Sequence, residues 1–198
     1  MKKIALLLML LVSYQAMSDA LNPAQLAIKK WWVFGNKVNV GAFPTGVAFD
    51  GSSIWVGAHN DSNITKINPY SAQVIGTYAV GGKVDGVTFD GVSIWVALRF
   101  SGKVAKINPQ SGAVIATYTI GGGSAQLQFD GTNMWLADTE GNTITKFNPA
   151  NGAILGTYKV AKGPYGLAFD GNNIWVANNG ANSIQKVSIS GQILGTYP

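Results

Sequence analysis

The 198-residue chain has no cysteine, one histidine and one glutamate, and only 12% of its residues are charged. The missing cysteine excludes a disulfide framework, a thiolate metal site, a cysteine nucleophile and a lipid anchor on an N-terminal cysteine. Outside the first residues, no window carries apolar side chains at the 3.6-residue spacing of an amphipathic helix. The low charge and the absence of a Glu/Lys/Ala/Leu excess also exclude bundles and coiled coils. Motifs for a phosphate loop, a serine elbow, a calcium loop or a paired-histidine metal site are absent. The one long apolar run, Ile4 to Val12, is nine residues, about half of what spans a bilayer.

That run has a function of its own. Lys2 and Lys3 precede it, and Ala16-Met17-Ser18 and Ser18-Asp19-Ala20 follow as small-x-small cleavage sites. Residues 1–18 therefore read as a signal peptide cut after Ser18 or Ala20, with the product exported to the periplasm or the extracellular space. Loss of the two lysines leaves 12 basic against 9 acidic residues, a net charge of +3. That is too weak for a nucleic-acid footprint. Six Trp, seven Tyr, eight Phe and 25 Gly describe a folded, turn-rich domain rather than a disordered tail.

Internal repetition dominates the rest. Phe-Asp-Gly recurs at 49–51, 89–91, 129–131 and 169–171, always 40 residues apart. Trp55, Trp95, Trp135 and Trp175 keep that step, as do Lys66, Lys106, Lys146 and Lys186. Asn-Pro closes three copies at 68–69, 108–109 and 148–149, while the fourth reads Ser188-Ile189 and is one residue shorter. Asp-Gly supplies the positive φ of a tight hairpin, and Asn-Pro ends a ladder. Each copy divides into four strands, A to D, which in the first copy lie at about 45–49, 53–58, 63–67 and 72–80. Trp55 points away from Ile54 and Val56, so strand B is apolar on both faces and each sheet must be covered on both sides. The fold expected is all-β: a propeller of four blades, each about 40 residues and four antiparallel strands. The repeats span 38–78, 79–118, 119–158 and 159–198.

The run Gly46-Val47-Ala48-Phe49-Asp50-Gly51, then Ile54-Trp55-Val56, Asn63-Ile64-Thr65-Lys66-Ile67-Asn68-Pro69 and Gly76-Thr77-Tyr78, resembles the YVTN-type and virginiamycin B lyase-like propellers, with the NHL-repeat family nearby. The resemblance covers roughly 38–197. It implies blade architecture, and it leaves open whether the blades serve an enzyme or a binding module. Such families usually have about seven blades. Residues 19–37 form a lead-in in which Val33 to Asn36, continued by Val38 to Gly41, reads as an extra outer strand. Three arrangements follow: a closed four-bladed ring with a five-stranded closing blade, two chains combining eight blades, or part of a longer array.

Antiparallel order places the D–A and B–C loops on one rim and the A–B and C–D turns on the other. The turns are nearly constant between copies, whereas the loops differ in every copy, and function is expected on the variable rim. Its candidate ligand-binding residues are His59, Asn60, Asp61, Lys83, Asp85, Arg99, Phe100, Asp138, Glu140, Tyr165, Asn178 and Asn179. Arg99 suits a carboxylate, and Phe100 and Tyr165 offer stacking faces. The expected function is a binding or interaction module for a polar small molecule, glycan or peptide, without catalytic residues, metal or other cofactor. The alternative is a streptogramin lyase-like or lactonase-like enzyme. For that reading the resemblance implies a His base and a divalent metal such as magnesium, and His59 and Glu140 are the weak candidates. Neither nucleic acid nor a membrane is expected as partner; a homodimer is, if blades combine. The repeated lysines are expected to be solvated on outer faces, and the repeated Asp residues to serve hairpins alone. Gln126 and Gln128 depart from the strand A pattern and are candidates for channel-lining amides or for local repacking.

Overall fold

A computed structural model of the protein describes residues 37–198. The signal segment and Val33 to Asn36 of the extra strand lie outside the described residues. Residues 37–43 carry no strand. Beyond them are four sheets of four antiparallel strands. The first is β1 (Pro44–Phe49), β2 (Ile54–Ala58), β3 (Asn63–Ile67) and β4 (Val74–Ala79). The second is β5 (Val84–Phe89), β6 (Ile94–Leu98), β7 (Lys103–Ile107) and β8 (Val114–Thr119). The third is β9 (Ser124–Phe129), β10 (Met134–Asp138), β11 (Thr143–Phe147) and β12 (Ile154–Lys159). The fourth is β13 (Pro164–Phe169), β14 (Asn173–Asn178), β15 (Ser183–Ser188) and β16 (Ile193–Tyr197), with a single 3-10 turn at Asn179–Ala181. The strands fall where the turn chemistry puts them, within two residues at either end.

Successive inner strands β1, β5, β9 and β13 lie side by side, so the sheets stack face to face as propeller blades. Gly46 and Gly86 permit this approach: a Cβ on either would sit 2.6 Å from Val87 N or Ala125 O of the next blade. Between blades the core is apolar. Trp55, Ile64, Val87, Ile94, Val96 and Ile107 join blades 1 and 2, and equivalent residues join the later pairs. Among the described residues blade 4 does not pack on blade 1. Val47 is 66% exposed, whereas its equivalents Val87 and Leu127 are nearly fully buried. The four blades form an open arc.

Two groups of residues do more than the repeat pattern suggests. Asp50 accepts the Ser52 and Ser53 backbone N–H groups at Oδ1 and the Trp55 indole N–H at Oδ2, 2.7 Å away. Asp90, Asp130 and Asp170 do the same for Trp95, Trp135 and Trp175. The aspartate is thus both hairpin cap and anchor for the blade's largest side chain. Burial pushes the Asp50 carboxyl up, but the hydrogen bonds it accepts outweigh that and hold it below the usual range. Asp170, open to solvent and held chiefly by the Trp175 hydrogen bond, falls to about 2.

The lysines are not solvated outer-face residues, and here the expectation fails. Each Nζ sits 5.1 to 5.4 Å over the ring of its own blade's tryptophan. Lys66, Lys106 and Lys146 then reach into the next blade and donate to the Pro109, Pro149 and Ile189 carbonyls at 2.6 to 2.9 Å. Gln126 is half-buried, and Gln128 donates its amide to the neighbouring Phe129 carbonyl, which is local repacking.

Lys106→Met keeps most of the aliphatic stem but loses the interblade bond. It should lower unfolding free energy by about 1–3 kcal/mol, measurable by urea denaturation. Acid should act through the turn aspartates. The folded pKa of Asp50 and of Asp170 is depressed, so the stabilisation they give is complete above the ordinary value of 3.8 and is lost as pH falls below it, for Asp170 towards about 2. The melting temperature should drop between those values, and Asp170→Asn should make the drop shallower.

Candidate functional site

The two rims are as the topology requires. In every blade a backbone hydrogen bond ties the B–C loop to the D–A loop, as in His59 N to Phe43 O and Arg99 N to Lys83 O. Strand A enters each sheet through a register shift opposite strand B, between Pro44 and Val47, Val84 and Val87, and Pro164 and Gly166. Such bulges re-aim side chains. Asp85 and Tyr165 occupy corresponding bulge positions in blades 2 and 4, on the inner strands.

Asp85 organises the site. Its side chain is 1% exposed, and a buried carboxylate needs partners on both oxygens. One oxygen meets His59 Nδ1 of blade 1 at 2.7 Å, and the other accepts from Arg99 Nη1 of its own blade. His59 Nδ1 also lies 3.1 Å from the Val84 carbonyl. Both neighbours of Nδ1 are acceptors, so Nδ1 carries a proton, and the neutral tautomer of the ring is the one with a bare Nε2. The Tyr165 phenol is raised above its usual pKa by burial first and by the charge of Asp85 second, with Arg99 acting in the opposite sense. One buried carboxylate thus gathers His59 of blade 1 and Arg99 of blade 2.

Two exposed aromatic rings flank this group. Phe100 lies against the Arg99 guanidinium, 4.7 Å from its centroid, and Phe43 packs edge-on against His59 at 5.7 Å. Phe43 and Phe100 are 65% and 61% exposed, and their φ values are 58° and 60°. A bulky residue in the left-handed region is strained, and such strain gathers at functional sites. Phe43 is the residue the sequence reading did not select. It sits beside Pro44 in a loop where nothing in the composition marks it.

The other candidates lie elsewhere. Asp61 accepts the Ala42 N–H at 2.7 Å and ties its B–C loop to the segment that precedes β1. Asp138 accepts the Gly123, Glu140 and Gly141 N–H groups. Asn178 is buried and gives its amide to Val176 O and Gln185 Oε1, so it faces the blade rather than solvent. Asn60, Lys83, Glu140 and Asn179 are exposed on the rim, and Glu140 lies against Gly123 of its own blade. The acidic partner of His59 is Asp85, not Glu140. Among the described residues, no three His, Asp or Glu side chains gather as metal ligands. The divalent ion implied by the lyase resemblance does not fit this donor set: Asp85 is spent on His59 and Arg99, and Asp138 on backbone N–H groups. Two measurable clefts, of about 440 and 370 Å³, lie on the opposite rim. They occupy the same place between blades 1 and 2 and between blades 3 and 4, and are lined by the repeated turn residues. They therefore follow from the blade geometry, whereas the Asp85 cluster occurs once.

Fold and site together define a β-propeller arc with one polar cluster on its variable rim. Solved structures agree on the architecture. The chain is similar to the hydrazine synthase of Kuenenia stuttgartiensis, with 18% identity and a TM-score of 0.71, over 82% of this chain and 50% of that one. It is also similar to the glutaminyl cyclase of Myxococcus xanthus, with 16% identity and a TM-score of 0.62, over 78% of this chain and 70% of that one. The chain thus spans about half the length of the first of these neighbours. No family model and no curated protein matches the chain. Identities this low carry the fold and no activity.

The lone imidazole gives an unambiguous test of the site. At a pH where it is neutral, nitrogen-15 NMR should find the proton on Nδ1 and none on Nε2. Asp85→Asn should remove that preference.

Proposed function

We propose that this is an exported binding propeller that takes a small anionic ring compound, an aromatic carboxylate or an acidic sugar, on the rim between blades 1 and 2. The supporting observation is the buried Asp85, which holds His59 and Arg99 side by side between two exposed, strained phenylalanines. Arg99 spends Nη1 on Asp85 and its side chain is still 30% exposed, so the guanidinium stays open to an anion. Phe43, Phe100 and Tyr165 supply apolar faces for a ring, and His59 Nε2 accepts a hydrogen bond from a hydroxyl. The YVTN-type reading and the export signal belong to the same proposal. So does the assignment of Asn60, Lys83 and Asn179 to the edge of the ligand footprint.

One observation favours a lyase-like or lactonase-like enzyme as a second reading. A His whose Nδ1 is fixed by a buried carboxylate has the orientation of a general base at Nε2. That reading requires turnover of a lactone or streptogramin substrate, and His59→Gln should abolish it.

Titration with phenylacetate and with glucuronate, followed on the His59 and Tyr165 NMR signals, tests the binding reading. Saturable shifts with the carboxylates but not with the matching amides are expected; no shift, or equal shifts with the amides, would refute it. Phe43→Gly combined with Phe100→Gly should relieve about 1 kcal/mol of left-handed strain at each position. The melting temperature should hold or rise while affinity falls by about tenfold, equivalent to 1.4 kcal/mol.

A further inference from the structure

Asp85 does more than place its two neighbours; it also decides which of them donates to a ligand and which accepts. Its two oxygens hold His59 Nδ1 and Arg99 Nη1, so imidazole and guanidinium stand side by side. Arg99 has only N–H donors to offer. His59 Nδ1 faces two acceptors, the Asp85 carboxylate and the Val84 carbonyl, and keeps its proton towards them. In the neutral ring the lone pair is therefore at Nε2, turned away from Asp85. Among the described residues Nε2 has no hydrogen-bond partner. The His59 side chain keeps 12% of its exposure and that of Arg99 keeps 30%, while Asp85 keeps 1%. A ligand on this rim thus meets a charged donor beside a neutral acceptor, and the carboxylate that orders them is out of reach.

We propose that the site selects a carboxylate whose neighbouring carbon bears a hydroxyl, an aromatic 2-hydroxy acid, and rejects the 2-oxo acid of the same skeleton. This selectivity rests on the carboxylate-binding reading of the same rim and narrows it. The ligand carboxylate takes guanidinium N–H groups that Asp85 leaves free. The hydroxyl gives its proton to His59 Nε2, and the ring lies against Phe43 and Phe100. Because one carboxylate holds both protein groups, the two ligand groups must also be neighbours. A 2-oxo oxygen carries lone pairs only, so in the same pose it sets one lone pair against another. A site built to accept a hydroxyl proton discriminates strongly against a group that cannot supply one.

A single proton removes the discrimination. When the ring takes up a second proton, at Nε2, that nitrogen becomes a donor, and hydroxyl and oxo oxygens both suit it. The charges of Arg99 and Asp85 cancel, so the added proton leaves the cluster with one positive charge and favours every carboxylate alike. The other ionisable groups around the ring do not produce this change. Asp61, in the same loop, is turned to the Ala42 N–H. Lys83 meets Arg99 through its backbone carbonyl, and its side chain is exposed. The Tyr165 phenol is pushed above its usual range by burial first and Asp85 second, and stays neutral.

Mandelate, phenylglyoxylate and phenylacetate share a ring and a carboxylate and differ at one oxygen. Their dissociation constants, measured by calorimetry on either side of the His59 titration midpoint read by NMR, test the selectivity. Above the midpoint the tighter enantiomer of mandelate should bind about tenfold more tightly than phenylglyoxylate, with phenylacetate between them. Below it all three should bind more tightly, and mandelate and phenylglyoxylate should agree within about twofold. His59→Gln can turn either an amide oxygen or an amide N–H to the ligand, so the two affinities should agree at both pH values. Phenylacetate binding with equal mandelate and phenylglyoxylate affinities above the midpoint would overturn the selectivity alone. So would a ratio that ignores pH, or one that survives in His59→Gln. If none of the three bound at either pH, the carboxylate-binding reading would fall and the selectivity with it.

Discussion

Everything in this molecule hangs from one relay: a turn aspartate holds a tryptophan indole, a lysine lies over that ring, and the lysine reaches a carbonyl of the next blade. Each link satisfies a group that would be costly to leave bare. The indole N–H is buried with its ring and needs an acceptor. The ammonium keeps a hydrogen-bonding partner while its stem covers apolar surface. The relay therefore joins turn, strand and neighbouring blade in one geometry, and 40-residue spacing is enough to repeat it. The same units explain the exposed face of blade 4, where Ile184 and Tyr197 carry half of an interface.

The rim obeys a different constraint. Loops there need only return the chain from one strand to the next, so each blade can carry its own side chains. A bulge where strand A enters each sheet sets one residue out of the regular ladder. In blade 2 that residue is an aspartate, and burial obliges it to find two partners. His59 and Arg99 come from different blades, yet a single carboxylate suffices to align them. The strain at Phe43 and Phe100 has no counterpart in the A–B hairpins, where the left-handed positions belong to glycine.

Much of the fold was legible beforehand. Phe-Asp-Gly and Asn-Pro state where strands stop, and alternation in strand B states that both faces are covered. The lysines were misread because a charged residue on a strand is usually solvated. Nothing local shows that a tryptophan ring and a foreign carbonyl lie within its reach. Of the rim residues, His59, Asp85, Arg99 and Phe100 were selected from loop variation alone and do meet. Asp61, Asp138 and Asn178 looked alike in sequence but are consumed by their own loops or blade. Phe43 escaped because its exposure and its backbone conformation are properties of the folded loop.

Period, turn type and two-sided burial are short-range matters, settled by which residues tolerate a positive φ, which cannot donate to a ladder and which must leave water. The sequence by itself determined a stack of four-stranded blades for that reason. Whether the arc closes depends on a small rotation between blades, summed over the stack and set by side-chain packing at each interface. Which polar residues meet on the rim depends on bulges and on groups 26 or more residues apart, such as His59 and Asp85. Those outcomes are long-range sums, and only the tertiary structure decided them.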